Sequence, residues 1–131
     1  MKTRLFILFA LLVMVALALS ACGGGAATTG GNTVASAKGD ATKGKTAFTA
    51  TCSACHGPDA KGLPGLGKDM TTSTFIKGLT DDQFLDFLKK GRPASDPANT
   101  TKVDMPVKGG NPALTDQDLY NVISYIRTLN K

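Results

Sequence analysis

The feature that most constrains the fold of this 131-residue chain is a Cys-x-x-Cys-His motif formed by Cys52, Cys55 and His56. His56 is the only histidine in the sequence, and it directly follows the second thiol. The two intervening residues set the sulfur atoms about one helical turn apart. This spacing is typical of c-type haem attachment, in which both thiols form thioethers with haem and the histidine binds the iron. The motif therefore predicts a domain that holds one covalent haem c.

Two other uses of the same side chains remain open at this point. A thioredoxin-like dithiol should follow a strand in an alternating strand and helix pattern, and no such pattern is visible. A zinc site needs four ligands, whereas the motif supplies three. Both alternatives require a protein that carries no covalent haem.

The first 21 residues have the organisation of a secretion signal. Lys2 and Arg4 form a basic start, and residues 5–19 are an unbroken apolar run. This run is short for a membrane span, which needs roughly 20 residues. Residues 19–22 read Leu-Ser-Ala-Cys and resemble the lipobox of bacterial lipoproteins. We therefore expect residues 1–21 to be removed and Cys22 to be lipidated. The alternative is an ordinary signal peptide that leaves Cys22 as a free thiol.

Residues 22–39 are expected to form a lipidated tether. Between positions 23 and 39 the only bulky apolar side chain is Val34, so this segment cannot bury enough surface to fold. As a flexible coil it would reach roughly 23 Å. Two acyl chains on Cys22 would hold the protein stably on a membrane. The expected location is the extracytoplasmic face of a bacterial membrane, on the periplasmic side or the cell surface.

The charge of the chain does not indicate a nucleic-acid partner. Two of the 15 Lys and Arg residues precede Cys22, which leaves 13 against 10 acidic residues. The positive charges are spread out, whereas nucleic-acid binding favours a basic cluster with aromatic side chains. Binding to nucleic acid is therefore not expected.

Helix signals dominate residues 40–131, and no convincing strand pattern appears. A first helix is predicted over residues 42–50, a second from Thr80 to Lys90, and a last one that begins after Thr115. The Thr80 to Gln83 segment has the form of a capping box. Apolar side chains recur at helical spacing in the last two helices: Phe84, Phe87, Leu88, Leu119, Val122, Ile123 and Ile126. A shorter turn is possible over residues 72–77. We predict one all-α domain of three to five short helices wrapped around the haem.

The second axial ligand is predicted to be a methionine. Only Met70 and Met105 follow Cys22, and methionine is the usual partner of histidine in electron-carrying haem proteins. Met70 lies 14 residues after His56, which leaves little chain to pass around the haem edge. Met105 lies 49 residues after His56, and Pro106 keeps it out of a helix. We therefore predict His56 and Met105 as the iron ligands and Met70 as a core side chain.

Residues 40–131 resemble a class I c-type cytochrome, a family of small monohaem all-α domains. Gly44 and Phe48 precede the haem motif at the family's spacing, and Met105 followed by Pro106 resembles its distal ligand segment. The resemblance implies that Gly44 lets the first helix cross the last one closely, with Tyr125 packed into the crossing. It also implies that the carbonyl of Pro64 accepts a hydrogen bond from the histidine ring, and that Leu66 packs on the proximal haem face.

The resemblance implies an electron carrier and not an enzyme. Iron held on both sides has no open position for a substrate. The implied partners are membrane complexes: a donor dehydrogenase or quinol oxidoreductase, and an acceptor oxidase or reaction centre. The alternative is a ligand-binding or catalytic haem protein with a displaceable distal ligand. Arg92 and Tyr120 are candidates for binding a haem propionate, or are surface residues. The lysines at positions 61, 68, 102 and 108 could surround a docking surface for an acidic partner, or be ordinary surface lysines.

Overall fold

The computed structural model describes residues 38–131. The predicted signal peptide, Cys22 and all but the end of the predicted tether lie outside the described residues. Residues 38–131 form five α-helices and one 3₁₀ helix: α1 Ala41–Thr51, α2 Ser53–His56, α3 Thr74–Gly78, α4 Asp81–Lys90, the 3₁₀ helix Val107–Gly110 and α5 Asp116–Leu129. This part of the chain contains two isolated β-bridges and no strand. The predicted all-α fold is confirmed.

Three helices begin at residues whose side chains cap them. The side chain of Asp40 accepts hydrogen bonds from the first backbone amides of α1. Thr80 and Gln83 form a complete capping box at α4, and Thr115 forms another with Asp118 at α5. Each box satisfies backbone N–H groups that have no partner within the helix. The predicted helix starts are therefore confirmed to within one or two residues.

The first and last helices cross in close contact. A methyl group on Gly44 would overlap the backbone carbonyl of Asn121, so only glycine fits at this point of the crossing. Beside it, the rings of Phe48 and Tyr125 meet edge to face, with 5.4 Å between their centroids. The expectation that Gly44 and Tyr125 shape this crossing is confirmed.

The core lies between α1, α4 and α5. Its buried apolar residues in α4 and α5 are Phe84, Leu85, Leu88, Leu119, Val122, Ile123 and Ile126. Phe87, predicted on the same face of α4 as Phe84 and Leu88, packs against this core and is partly buried, and Leu85 is buried as well. None of the helices within residues 38–131 has the length and apolar character needed to cross a bilayer.

The start of the described chain is held against α4 and α5. Lys38 Nζ lies 2.5 Å from a carboxylate oxygen of Asp82, and its backbone carbonyl accepts a 2.9 Å hydrogen bond from Gln117. The backbone N–H of Asp40 donates to the side chain of Asn121 at 2.8 Å. These contacts fix residues 38–40 next to the N-terminal ends of the two helices.

Candidate haem site

One cavity of about 730 Å³ contains the predicted site residues. Cys52, Cys55, His56 and Met105 all line it, although Met105 comes from a different part of the chain than the other three. The predicted attachment and ligand side chains are therefore brought together. Among the described residues, none before Thr51 lines this cavity.

The haem motif begins at Cys52, between α1 and α2, and ends with Cys55 and His56 in α2. The backbone N–H groups of Cys55 and His56 donate to the carbonyl of Cys52 at 3.2 and 3.0 Å. This turn places both thiols and the imidazole along one side of the cavity. A local turn of the backbone thus sets the relative positions of the three groups.

The imidazole of His56 is oriented by a backbone carbonyl. Its Nδ1 atom lies 2.8 Å from the carbonyl oxygen of Lys68. A carbonyl oxygen can only accept a hydrogen bond, so Nδ1 carries the proton and Nε2 keeps its lone pair. Such a contact fixes both the tautomer and the ring orientation of a metal-binding histidine.

The expectation that Pro64 supplies this carbonyl is wrong. Leu63 and Gly67 exchange backbone hydrogen bonds of 3.1 and 3.2 Å and close a tight turn. Pro64 lies in that turn and is exposed. The backbone N–H of Gly62 donates to the carbonyl of His56 before this turn, but the imidazole finds its acceptor only after the turn, at the carbonyl of Lys68. Leu66, in the same turn, lines the cavity as expected but remains 37% exposed.

The protonation of the motif fits ligand binding better than thiol chemistry. Burial lowers the pKa of His56, although its hydrogen bond to Lys68 acts in the opposite direction. Burial, with a smaller effect from Cys55, raises the pKa of Cys52 to about 11. Redox-active thiols have lowered pKa values, so Cys52 lacks the character of a thioredoxin-like nucleophile. Within residues 38–131, no group of three or more His, Cys, Asp or Glu side chains is arranged to hold a metal ion. The alternative of a zinc site therefore gains no support.

The backbone of Met105 is fixed by Arg92. Each residue donates its N–H to the carbonyl of the other, and both hydrogen bonds are 2.8 Å long. Gly91, which ends α4 with a φ of +68°, makes this approach possible, because a side chain there would overlap the carbonyl of Met105. Met105 therefore lies at the closed base of a loop that leaves α4 and returns to it.

Met70 is a core residue that also contributes to the cavity wall. It is 5% exposed and belongs to the main apolar cluster. Its backbone carbonyl accepts a 2.6 Å hydrogen bond from Asn130, just beyond the end of α5. This position agrees with the predicted role of Met70 as a core side chain.

The remaining walls suit a flat apolar group with a polar edge. The inner wall is formed by core side chains of α3, α4 and α5: Ile76, Phe84, Leu88, Leu119, Val122 and Ile126. Two thiols, an imidazole with a free lone pair and a thioether supply the attachment and iron-binding chemistry of a haem c. The residues present thus fit this group.

Of the two candidates for binding a haem propionate, only Arg92 remains. Arg92 lines the cavity, and its guanidinium lies 4.7 and 4.9 Å from the ring centroids of Phe75 and Phe87. It also pairs with Asp96 at 3.3 Å. Tyr120 does not line the cavity, and its hydroxyl donates to Asp82 at 2.6 Å. The suggestion that Tyr120 binds a propionate is therefore wrong.

The four lysines considered for docking differ in their surroundings. Lys68 is exposed and lines the cavity. Lys108 also lines it, but its Nζ donates to the carbonyl of Leu114 at 2.6 Å. Lys61 and Lys102 are exposed and do not line the cavity. These lysines therefore do not form a uniform ring around the cavity.

Sequence reasoning missed two contributors to the site. No sequence motif indicates the role of the Lys68 carbonyl, because every residue has a backbone carbonyl. Asn99 lines the cavity and is 6% exposed, with its amide inside the loop that ends at Met105. Its position after Asp96 and Pro97 is typical of a turn, but a turn preference does not show that a side chain is buried.

Comparison with known proteins agrees with this geometry. Residues 41–130 match the family model described as "Cytochrome c". The chain is 33% identical over 89 residues to "Cytochrome c-555" of Chlorobaculum thiosulfatiphilum, which covers 66% of this chain and 93% of that protein. It is 31% identical over 87 residues to "Cytochrome c-555" of Prosthecochloris aestuarii, with 66% and 85% covered. The matched region contains every residue that the haem site requires.

Proposed function

Since this chain belongs to the cytochrome c family, as a class I monohaem c-type cytochrome, we propose that it is a membrane-tethered electron carrier whose iron is held by His56 and Met105. The covalent haem c supplies one-electron redox chemistry when bound. One observation carries the proposal: a single cavity brings together the two attachment cysteines, a histidine with its lone pair free, and a methionine from a distant loop. An iron bound by both side chains would have no open position for substrate, which supports a carrier and not an enzyme.

Both proposed ligands are held in place by the polypeptide backbone. Lys68 fixes the ring of His56, and Arg92 fixes the backbone of Met105 through two hydrogen bonds. Ligands that are positioned in advance do not have to move when the charge on the iron changes. A small structural change between oxidation states favours fast electron transfer.

The proposed tether, residues 22–39, meets the domain at the fixed point formed by residues 38–40. Lys38 and Asp40 contact α4 and α5, and no described residue before Thr51 lines the haem cavity. A lipid anchor on Cys22 would therefore join the domain away from the residues that line the cavity. Such an anchor would hold the carrier on the extracytoplasmic face of a bacterial membrane, at the periplasmic side or the cell surface.

The proposed partners are membrane redox complexes that dock at the mouth of the cavity. Phe75, Val103 and Leu66 line the cavity and are 42%, 36% and 37% exposed. Lys68 lines the same cavity, is exposed and provides a positive charge for steering towards an acidic partner. A small surface of this kind suits the brief encounters typical of electron-transfer partners. The donor is a dehydrogenase or quinol oxidoreductase, and the acceptor is an oxidase or reaction centre.

Substitution of Met105 tests the proposed ligand pair. Met105→Ala should keep the covalent haem, abolish the weak ferric sulfur-to-iron absorption band and lower the reduction potential. Met70→Leu is the matched control, because it removes the other thioether while nearly conserving core volume. It should keep the band. An unchanged spectrum and potential in Met105→Ala would contradict the assignment, and loss of the band in Met70→Leu would transfer the role to Met70.

A further inference from the structure

The loop that carries Met105 is closed on itself and filled by one of its own side chains. It runs from Arg92 to Met105, and the two 2.8 Å backbone hydrogen bonds between these residues join its ends. Inside the loop lies Asn99, which is 6% exposed. Compact surface loops of this length whose ends are close are commonly packed by their own side chains.

Asn99 uses both ends of its amide to hold the loop together. Its Nδ2 group donates to the carbonyl of Val103 at 2.7 Å, to that of Pro93 at 3.1 Å and more weakly to that of Arg92 at 3.4 Å. These contacts connect the outgoing and returning parts of the loop. Val103, which accepts the shortest of these hydrogen bonds, lies two residues before Met105. Arg92, which accepts the weakest, is the residue whose backbone pairs with that of Met105.

The amide oxygen of Asn99 holds the turn at the far side of the loop. It accepts from the hydroxyl of Thr101 at 3.0 Å and from the backbone N–H of Lys102 at 3.1 Å. Lys102 has a φ of +57°, a conformation that costs energy for a residue with a side chain. A partner for its N–H therefore helps to keep the chain in the shape that returns it to Met105.

We propose that Asn99 is a positioning residue for the distal ligand: it holds the 92–105 loop closed and thereby slows the displacement of Met105 by other ligands. The inference rests on the proposed role of Met105 as the distal ligand. Asn99 acts through the loop backbone, because opening of the loop would leave the carbonyls of Arg92, Pro93 and Val103 without this donor. It thus stabilises the closed loop over the open form in which Met105 can leave.

Asn99→Asp isolates this role. The variant conserves the shape and the oxygen that accepts from Thr101 and Lys102, but it replaces the donor by an oxygen that faces three carbonyls. Asn130→Asp is the matched control, because the half-buried amide of Asn130 likewise donates to two carbonyls, those of Met70 at 2.6 Å and Ser73 at 3.3 Å. Asn130 does not line the cavity. Both variants should lower thermal stability.

The test is the rate at which imidazole displaces the sulfur ligand from the ferric holoprotein. At saturating imidazole, decay of the sulfur-to-iron band reports how often Met105 leaves. Asn99→Asp should accelerate this decay roughly tenfold or more. Loss of a buried hydrogen-bond partner commonly destabilises a structure by a free energy that corresponds to a factor of this size. Asn130→Asp should leave the rate within about twofold of the wild-type value.

The outcomes separate this inference from the proposal on which it depends. A wild-type protein without the band would contradict ligation by Met105, and the role of Asn99 with it. If the band is present, a rate in Asn99→Asp equal to that of wild type, or matched by that of Asn130→Asp, would overturn the positioning role alone. If Asn99→Asp does not yield folded holoprotein, Thr101→Val replaces it and should accelerate the decay about threefold. No acceleration in Thr101→Val would then overturn the role.

Discussion

Gly44 in α1 lies directly against the backbone carbonyl of Asn121 in α5, with no room for a methyl group between them. This contact sets how closely the two helices approach. It also places α1 so that its C-terminal end presents the haem motif next to the core side chains of α5. The position of the haem site thus depends on a contact made by a residue that does not line it.

Replacement of Gly44 by alanine is expected to push the two helices apart. The added methyl group would overlap rigid backbone atoms of Asn121, and overpacking of this kind costs about 1–3 kcal/mol. Denaturant unfolding of the holoprotein measures the loss of stability. Gly78→Ala is the matched control, because a Cβ atom there meets nothing within 4 Å, and it should change stability little. Equal effects from both substitutions would show that the crossing is not the cause.

The capping box of α4 should make a measurable contribution to stability. Thr80→Ala removes the hydroxyl that accepts from the N–H of Gln83 at 3.2 Å. Loss of such a cap is expected to cost about 1 kcal/mol. Thr42→Ala changes an exposed threonine inside α1 and serves as the control in the same denaturant titration. A cost for Thr42→Ala as large as that for Thr80→Ala would contradict a specific effect of the cap.

Stability should decrease in acid as two surface carboxylates take up protons. Hydrogen bonds from Lys38 and Tyr120 lower the pKa of Asp82, and hydrogen bonds from Thr115 lower the pKa of Asp118. In the unfolded chain these carboxyl groups have the higher pKa, about 3.9. The unfolded chain therefore binds more protons in acid than the folded protein does. The stabilisation present above that pH is lost as the pH falls through the lower pKa of the folded state. Unfolding titrations at a series of acidic pH values test this slope. Lys38→Ala removes the main partner of Asp82 and should make the slope shallower, whereas an unchanged slope would contradict the contribution of this pair.

Lipidation of Cys22 is the basis of the proposed membrane location. Cys22→Ser should remove the acyl anchor and release the holoprotein into the soluble fraction. Thr28→Ser, a conservative change in the same segment, should leave the protein on the membrane. Fractionation checks the location, and the intact mass of the mature wild-type protein checks for lipid on Cys22. Membrane retention of Cys22→Ser would contradict the prediction that a lipid on Cys22 anchors the protein.

The parts of the site that could be predicted are those encoded locally. The spacing of Cys52, Cys55 and His56 and the capping box at Thr80 are short patterns with a direct physical meaning, and the helices follow from them. Met105 could be proposed because few side chains in the chain can bind iron as a second ligand, and it lines the same cavity as the motif. These inferences needed no knowledge of which residues meet across the fold.

The parts that could not be predicted depend on tertiary contacts. The turn from Leu63 to Gly67 decides that Lys68, and not Pro64, holds the histidine ring. Tyr120 turns away from the cavity because its hydroxyl reaches Asp82, 38 positions earlier in the sequence. The burial of Asn99 follows from the closure of a whole loop. In each case the deciding partner is set by the path of the chain and not by a motif.

The absorption spectrum of the mature protein, oxidised and reduced, after acid-acetone extraction of loose haem, tests the central claim most directly. Ligation by His56 and Met105 predicts that haem stays with the polypeptide, that the reduced form gives sharp low-spin bands and that the ferric form shows the weak sulfur-to-iron band. Retained haem with a high-spin spectrum and no such band would contradict the claim and favour a haem protein with an open distal site.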